Sequence, residues 1–203
     1  MKRKLIVALL VVSTGIMLGG CQAISNLKSD FTQQTIGLPM TVQTYDYDAQ
    51  KIDTVHGKSL SIKRDAEFDQ TDTEGKTIKK SSVLDLTLGG KQITHVGSSL
   101  VAYQDGLTNV LDKYPKRENV TNGDSSIPFM NRFVNRCQNA FTGASKVILI
   151  RTQTGKPIAT FAGKTVSYKA TRVPSSTSLL INGKRLFIYR CDFTIYTMDS
   201  LGV

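Results

Sequence analysis

Residues 179–188 have the sequence Leu-Leu-Ile-Asn-Gly-Lys-Arg-Leu-Phe-Ile, and this stretch decides the fold class. Two apolar runs flank Asn182-Gly183, a dipeptide whose residues tolerate the positive φ angles of a two-residue β-turn. The stretch therefore predicts a β-hairpin, in which a tight turn joins two antiparallel strands. Gly89-Gly90 marks the next clearest hairpin in the chain.

The same turn chemistry recurs along the sequence. The recurring pattern is Gly-Lys, then any residue, then an aliphatic residue. It predicts that Gly forms the turn, that Lys faces solvent and that the aliphatic side chain points into the core. The pattern begins at Gly57, Gly75, Gly90, Gly155, Gly163 and Gly183. Because the spacing is irregular, we interpret these sites as turns between strands and not as a sequence repeat.

Two further segments have the pattern of strands. Residues 146–151 are apolar on both faces, which predicts a central strand. In residues 185–197 the apolar side chains fall on alternate positions, which predicts one long strand with a single core face. The side chains of that face are Phe187, Tyr189, Cys191, Phe193 and Ile195.

One segment has the period of a helix. Apolar side chains in residues 127–141 recur at i, i+3, i+4 and i+7, with Pro128 in the first turn and Gly143 beyond the last. A second, short helix is predicted over residues 107–114 and is ended by Pro115. The main helix is expected to pack on a sheet through Phe133, Val134, Cys137 and Phe141.

Together these patterns predict an α+β fold, mostly antiparallel β-hairpins and sheet with one main amphipathic helix packed on it. Hydrophobic residues make up 40% of the chain and charged residues 21%, which excludes collagen, coiled coil and a wholly disordered chain. We predict a single β-rich domain over residues 40–203, with two sub-halves, 40–114 and 125–203, as the alternative.

The first residues have the features of an export signal. Positive residues 2–4 precede an apolar run at residues 5–18, which is shorter than the roughly 20 residues of a membrane-spanning helix. The following Leu-Gly-Gly-Cys, which ends at Cys21, resembles a bacterial lipobox. We therefore predict a lipoprotein signal peptide over residues 1–20 and a tether over residues 21–39, attached to the membrane through diacylglyceryl-Cys21. The alternative is an ordinary secretory signal with an incidental Cys.

Positive charge is concentrated in the second half of the chain. Residues 22–112 carry 9 basic and 12 acidic side chains, whereas residues 113–203 carry 14 basic and 4 acidic ones. A basic surface attracts anionic partners, although it is equally typical of a solvated face. The candidate contacts for such a partner are Arg132, Arg136, Lys184, Arg185 and Arg190.

No local motif indicates catalysis or a bound cofactor. The only histidines are His56 and His95, and neither has the spacing of a zinc site. No catalytic residue, metal or cofactor is therefore predicted. A hydrolase that uses His56 or His95 with a carboxylate from residues 65–74 is the alternative. That acidic cluster lacks the EF-hand pattern, so an acidic surface loop is the favoured interpretation.

Two cysteines remain after Cys21. Cys137 lies on the apolar stripe of the predicted helix and Cys191 on the apolar face of the predicted last strand. They could pair as a disulfide in an oxidising compartment if the helix packs on that strand. Two buried free thiols are the favoured interpretation, because burial alone explains both positions.

Three runs carry a family resemblance, and they start at Pro128, Ser145 and Gly183. They are Pro-Phe-Met-Asn-Arg-Phe-Val-Asn, Ser-Lys-Val-Ile-Leu-Ile-Arg and Gly-Lys-Arg-Leu-Phe-Ile-Tyr-Arg-Cys-Asp-Phe. With the lipobox, they resemble a family of uncharacterised lipoproteins from low-GC Gram-positive bacteria. The resemblance implies a domain of unknown function, with no catalytic residues to carry over. It also implies a lipid anchor in the outer leaflet of the cytoplasmic membrane.

The sequence favours a lipid-anchored, non-enzymatic binding module that faces the outside of the cell. Its expected partners are anionic lipid, a wall polymer or an acidic protein, and no nucleic-acid partner is expected. The alternatives are the extracytoplasmic hydrolase and the solute-binding protein of a transporter. A solute receptor is disfavoured because such proteins usually have two α/β lobes, while this chain has one good helix and hairpins.

Overall fold

A computed structural model describes residues 35–114 and 126–202, with the side chains of 129–202 in the second range. The predicted signal peptide, Cys21 and most of the tether lie outside the described residues. Within them no helix is long and apolar enough to cross a membrane.

Strands and three short helices make up the described part of the chain. The strands are β1 Pro39–Tyr45, β2 Lys51–Lys58, β3 Leu60–Arg64, β4 Gln70–Thr71, β5 Thr77–Lys79, β6 Val83–Leu88, β7 Lys91–Val96, β8 Ser99–Gln104, β9 Lys146–Arg151, β10 Pro157–Gly163, β11 Val166–Ala170, β12 Ser176–Ile181, β13 Lys184–Tyr189 and β14 Asp192–Thr197. The helices are α1 Val110–Lys113, α2 Ser126–Arg136 and α3 Gln138–Phe141.

The strands form one large sheet and two smaller ones, with the β4–β5 hairpin apart. The central sheet has the order β11-β12-β13-β8-β1-β2, and the smaller sheets have the orders β3-β6-β7 and β10-β9-β14. Every neighbouring pair in these sheets is antiparallel. The mostly antiparallel α+β fold predicted from the sequence is therefore confirmed.

The central sheet is covered on both faces. One face, with Met40, Leu100 and Phe187, packs against the β3-β6-β7 sheet through Leu60, Ile62, Leu84 and Leu86. The other face, with Val101 and Ile188, packs against the β10-β9-β14 sheet through Ile148, Ile150, Ala159 and Phe161. Because adjacent side chains of a strand point to opposite faces, β8 and β13 each need a run of consecutive apolar residues, which residues 100–103 and 186–189 provide.

The helices form the outermost layer. Val147 and Leu149 of β9 point away from the central sheet and pack under α1, α2 and α3. Residues 146–151 are thus the central strand of their sheet, as predicted. The predicted helix also packs as expected, through Phe133, Val134, Cys137 and Phe141. It is interrupted at Cys137, whose backbone N–H is shared between two carbonyls at 3.1 Å, so that two helices replace one.

Two sequence interpretations were wrong in detail. Residues 185–197 form two strands, because the chain leaves the central sheet after β13 and enters the β10-β9-β14 sheet as β14.

Of the six Gly-Lys sites, Gly57 and Gly163 are not hairpin turns. A Cβ at Gly57 would lie 2.8 Å from Cγ of Leu88, and one at Gly163 would lie 2.6 Å from Cγ2 of Ile181. These two glycines allow close packing where the chain changes sheets.

Both parts of the described chain contribute to one sheet. Strands β1, β2 and β8 come from residues 35–114, and strands β11, β12 and β13 come from residues 126–202. The two parts join where β8 pairs with β13 between Leu100–Tyr103 and Leu186–Tyr189. The sub-halves considered from the sequence thus share a continuous hydrogen-bonded sheet.

Candidate functional site

The five candidate basic contacts lie at three separate places. Arg132 and Arg136 are exposed on α2, and the guanidinium carbon of Arg136 lies 5.6 Å from the ring centre of Phe133. Lys184 and Arg185 begin β13, and Arg190 follows the end of the same strand. Six residues of extended chain span roughly 20 Å, so these basic groups cannot all serve one small ligand.

The Lys184–Arg185 end of β13 is shaped by its turn. Asn182 and Gly183 have φ angles of +49° and +79°, as a two-residue hairpin turn requires. The Nζ of Lys184 donates to the backbone carbonyl of Asp105 at 3.2 Å. The backbone N–H of Arg185 donates to Oε1 of Gln104 at 3.1 Å. The two charges thus sit beside a tight turn and are partly exposed there.

The Arg190 end of β13 is held in a different way. The φ angle of Arg190 is +51°, in the left-handed region that a residue with a Cβ rarely adopts. Its N–H donates to the carbonyl of Ser175 at 2.9 Å, and its carbonyl accepts from the Ser99 hydroxyl at 2.8 Å. These two bonds hold the backbone where the chain crosses between sheets, so the direction of the side chain is fixed.

The Arg190 guanidinium is half-buried and has neutral partners. Its Nη2 donates to Oε1 of Gln153 at 3.2 Å, and its positive charge lies beside the Tyr189 side chain, where it partly offsets the rise in pKa that burial causes. The Nε is buried and has no hydrogen-bond partner. Lys51–Asp112, Arg64–Asp69 and Lys156–Asp48 are ion pairs of the described chain, and Arg190 takes part in none of these three. A half-buried cation without a carboxylate partner is uncommon, because burial of charge costs free energy.

His95 and Tyr189 lie beside this arginine. The Tyr189 hydroxyl donates to the carbonyl of Ser82 at 2.7 Å, and the two rings meet edge to face with centres 6.0 Å apart. The Nε2 of His95 lies 3.0 Å from the carbonyl of Ser98. Burial lowers the pKa of His95, and the positive charge of Arg190 lowers it further. His95 is therefore a neutral neighbour of the guanidinium at pH 7.

His56 lies elsewhere, on the edge strand β2. Its Nδ1 lies 2.9 Å from the hydroxyl of Thr41, which in turn donates to Oδ1 of Asp105 at 3.2 Å. The Thr41 side chain is buried in the strand next to β2. The hydrolase alternative paired a histidine with a carboxylate from residues 65–74, but the hydrogen-bond partners of His56 and His95 lie outside that cluster.

The carboxylates of residues 65–74 stabilise local turns. Asp65 accepts the N–H of Glu67, and Asp72 accepts the N–H groups of Glu74 and Lys76. Asp69 accepts the N–H of Ser81 at 2.7 Å and pairs with Arg64, and these contacts lower its pKa. In the described parts of the chain no group of three or more His, Cys, Asp and Glu side chains could hold a metal ion.

The two cysteines are free thiols in separate places. Cys137 belongs to the cluster under the helices, and Cys191 packs at the cluster on the opposite face of the β10-β9-β14 sheet. The disulfide that the sequence left open is therefore not formed, because a layer of sheet separates the two clusters. Burial raises the pKa of the Cys191 thiol to about 12, which makes it a poor nucleophile.

A buried polar network was missed by the sequence reasoning. The Tyr45 hydroxyl donates to Gln43 at 2.8 Å, and the Gln43 amide donates to Asp112 of α1 at 2.7 Å. Asp112 also pairs with Lys51, while Oδ1 of Asn109 accepts the N–H of Thr160 at 3.1 Å. Polar residues on alternate positions of an otherwise apolar β1 were the available signal. The network fastens α1 to two sheets.

The comparisons place the chain in a family without an assigned activity. The family model described as a domain of unknown function, DUF5052, matches residues 2–201, so the chain belongs to this family. No curated protein and no solved structure matches the chain. Any functional conclusion must therefore come from the residues themselves.

Proposed function

We propose that this DUF5052 protein is a lipid-anchored binding module on the outer face of the cytoplasmic membrane of a Gram-positive cell, where it contacts an anionic surface component. The lipobox that ends at Cys21 supports the anchor. A diacylglyceryl group provides two acyl chains, and stable membrane attachment requires more than one. Such an anchor keeps the folded domain close to anionic lipid head groups and to wall polymers.

The observation that carries the binding role is the excess of positive charge in the second half. Residues 126–202 hold eleven basic and two acidic side chains. Among these basic residues, Lys156 is paired with Asp48. Basic residues near an anionic membrane surface each contribute about 1 kcal/mol of attraction, which falls within a Debye length of roughly 8 Å.

The anchor is tested by metabolic labelling with a tagged fatty acid. The wild-type chain should carry the label and fractionate with membranes, whereas Cys21→Ala should be unlabelled. Cys137→Ala is the matched control, because it removes a thiol that is buried in the folded domain. Acylation of the Cys21→Ala chain would contradict the proposed anchor.

The anionic partner is tested with the purified mature chain of residues 21–203 carrying Cys21→Ala, which lacks both the lipid and the apolar signal peptide. We expect cosedimentation with vesicles that contain phosphatidylglycerol, or retention on a poly(glycerol phosphate) wall polymer, at low salt. Binding should weaken steeply at high salt, and vesicles of phosphatidylcholine alone should not bind. Equal binding to neutral and anionic vesicles, or no binding to either anionic surface at low salt, would refute the proposal.

A further inference from the structure

We propose that Arg190, at the junction of β13 and β14, is the receptor for one phosphate group of the anionic partner. The inference rests on the proposed function, since it names the chemical group and the residue through which that partner is recognised. The site is formed by the Arg190 guanidinium and the turn between β9 and β10, which supplies Gln153.

The N–H donors of the Arg190 guanidinium outnumber the acceptors around it. A guanidinium has five N–H groups arranged as a planar fork. The Arg190 guanidinium donates to the Gln153 amide oxygen and lies beside the Tyr189 hydroxyl, and both groups are neutral. An oxyanion that reaches the exposed part of the guanidinium would supply a charged acceptor there and the missing counter-charge, whereas the buried Nε stays out of its reach. Hydrogen bonds between charged partners are shorter and about twice as strong as neutral ones.

The backbone conformation of Arg190 costs free energy to maintain. A left-handed φ angle in a residue other than Gly costs on the order of 1–3 kcal/mol and occurs mainly where the surroundings enforce it, often at functional sites. Glycine would avoid that cost at the junction, yet the chain has an arginine there. The bonds from Ser175 and Ser99 keep this backbone in place, so the guanidinium is presented without a conformational change.

The Arg190 guanidinium lies beside an exposed turn on one side and an uncharged histidine on the other. Gln153 is exposed, so a ligand can approach the guanidinium from the side of the β9–β10 turn. The same turn carries Lys156, whose charge is paired with Asp48 at 2.6 Å. His95, on the protein side, is uncharged, and a bound phosphate close to it would favour its protonated form. Phosphate binding should therefore raise the pKa of His95, an effect that a purely structural arginine would not produce.

Phosphate is the proposed ligand because of the planar guanidinium of Arg190 and because of the phosphodiesters present at the cell surface. Arginine recognises phosphate oxygens through two parallel N–H bonds, which a lysine ammonium cannot form. Phosphodiesters are common to phospholipid head groups and to glycerol phosphate wall polymers, so one site could serve either source. Binding experiments with lipid vesicles and with the wall polymer, carried out separately, distinguish the two sources.

The test is a titration with sodium phosphate at constant ionic strength, followed by isothermal calorimetry and by the NMR pKa of His95. The protein is the purified mature chain of residues 21–203 carrying Cys21→Ala, which lacks the apolar signal peptide. Sodium acetate is the competing probe. Arg190→Gly suits the left-handed backbone and should fold, and Arg190→Lys keeps the charge without the fork. Arg185→Ala is the matched control, since it removes a basic residue from the other end of the same strand.

We expect phosphate affinity to fall at least about tenfold in Arg190→Gly and several-fold in Arg190→Lys, with less than about a twofold change in Arg185→Ala. Phosphate should raise the pKa of His95 in the parent chain and in Arg185→Ala, but not in Arg190→Gly. Equal phosphate affinity in Arg190→Gly and the parent chain would overturn the proposal, as would equal binding of acetate. A chain that binds phosphate through Arg190 but neither anionic surface would refute the proposed function and not this site.

The two sources are then compared with the same variants. Arg190→Gly should lose binding to phosphatidylglycerol vesicles if the lipid head group is the ligand, and to poly(glycerol phosphate) if the wall polymer is. If both surfaces bind the parent chain and Arg190→Gly equally well, the attraction is spread over the basic half and the Arg190 site is refuted.

Discussion

The two ends of β13 carry basic residues that look alike in the sequence and differ in the structure. At the first end, Lys184 and Arg185 follow the Asn182-Gly183 turn, where a positive φ falls on residues that tolerate it. At the second end, the positive φ falls on Arg190 itself. Turn chemistry thus explains the charge at one end, but no turn preference explains an arginine at the other.

The basic side chains at the two ends of β13 also differ in how far they are buried and in their hydrogen-bond partners. The Lys184 ammonium bonds to a backbone carbonyl beside an exposed turn, whereas the Arg190 guanidinium is half-buried with an unpartnered Nε. An exposed charge on a turn attracts an anion only weakly, because water screens the interaction. A partly desolvated charge interacts more strongly with an incoming anion. We therefore propose that the first end attracts anions in general and that the second recognises a phosphate group.

The largest expected change in stability comes from a substitution in the middle of β13, between its two ends. Phe187→Ala should lower the free energy of unfolding by about 3–5 kcal/mol, because it leaves a cavity between the central and β3-β6-β7 sheets. Phe187 is fully buried in that cluster. The measurement is urea unfolding followed by circular dichroism.

The matched control for this prediction is Ile52→Ala on the edge strand β2. Ile52 is 54% exposed, so its truncation should change the free energy of unfolding by no more than about 0.5 kcal/mol. Similar losses for Phe187→Ala and Ile52→Ala would mean that the face of β13 is not packed as described.

A smaller effect is expected at the Lys184 end. Gly163→Ala should cost about 1–3 kcal/mol, because the new Cβ would lie 2.6 Å from Cγ2 of Ile181 and 3.0 Å from Oδ1 of Asn182. That oxygen accepts the N–H groups of Lys164 and Thr165. The variant disturbs the turn before Lys184 but should leave phosphate affinity unchanged. A parallel loss of phosphate affinity would show that the two ends do not act separately.

The smallest effect is a pH dependence at the Arg190 end. The pKa of His95 is lowered in the folded chain, so the unfolded chain, with a pKa near 6.5, takes up the proton first. Stability should therefore be full above about pH 6.5 and fall as the pH drops through the lowered pKa. The measurement is the urea midpoint at pH 7.5 and 5.5. His95→Gln should flatten this dependence and His56→Gln should keep it, while the same slope in both variants would contradict the assignment.

Much of the fold could be predicted because its signals are local. Turn dipeptides gave the hairpins at Gly75, Gly90, Gly155 and Gly183, and periodicity gave the helical segment and β9. The change of sheet at Gly57 and Gly163 was not predictable from the same pattern. Whether a strand folds back on its neighbour or crosses to another sheet depends on packing between distant segments.

The break in residues 185–197 shows the same limit. The apolar face continues across it, since Tyr189 and Phe193 keep the alternation on both sides of Arg190. Nothing in the amino-acid pattern marks the left-handed residue, because arginine has no preference for that conformation. The apolar pattern of residues 185–197 therefore gives no sign that the chain crosses from the central sheet to the β10-β9-β14 sheet.

The candidate site was predicted in part. Arg190 was among the basic residues expected to contact an anionic partner, but so were four others. Gln153, Tyr189 and His95 meet Arg190 only because β7, β13 and the β9–β10 turn converge at one end of the central sheet. No sequence spacing encodes such a meeting.

The most direct test of the account is a two-dimensional NMR titration of the ¹⁵N-labelled chain with phosphate. The account predicts that the largest amide shifts cluster at Arg190, Gln153 and His95, with small shifts at Lys184 and Arg185. Shifts centred on Lys184 and Arg185, or spread evenly over the basic half, would contradict it. In that case the charge of this domain would act only as a diffuse attraction.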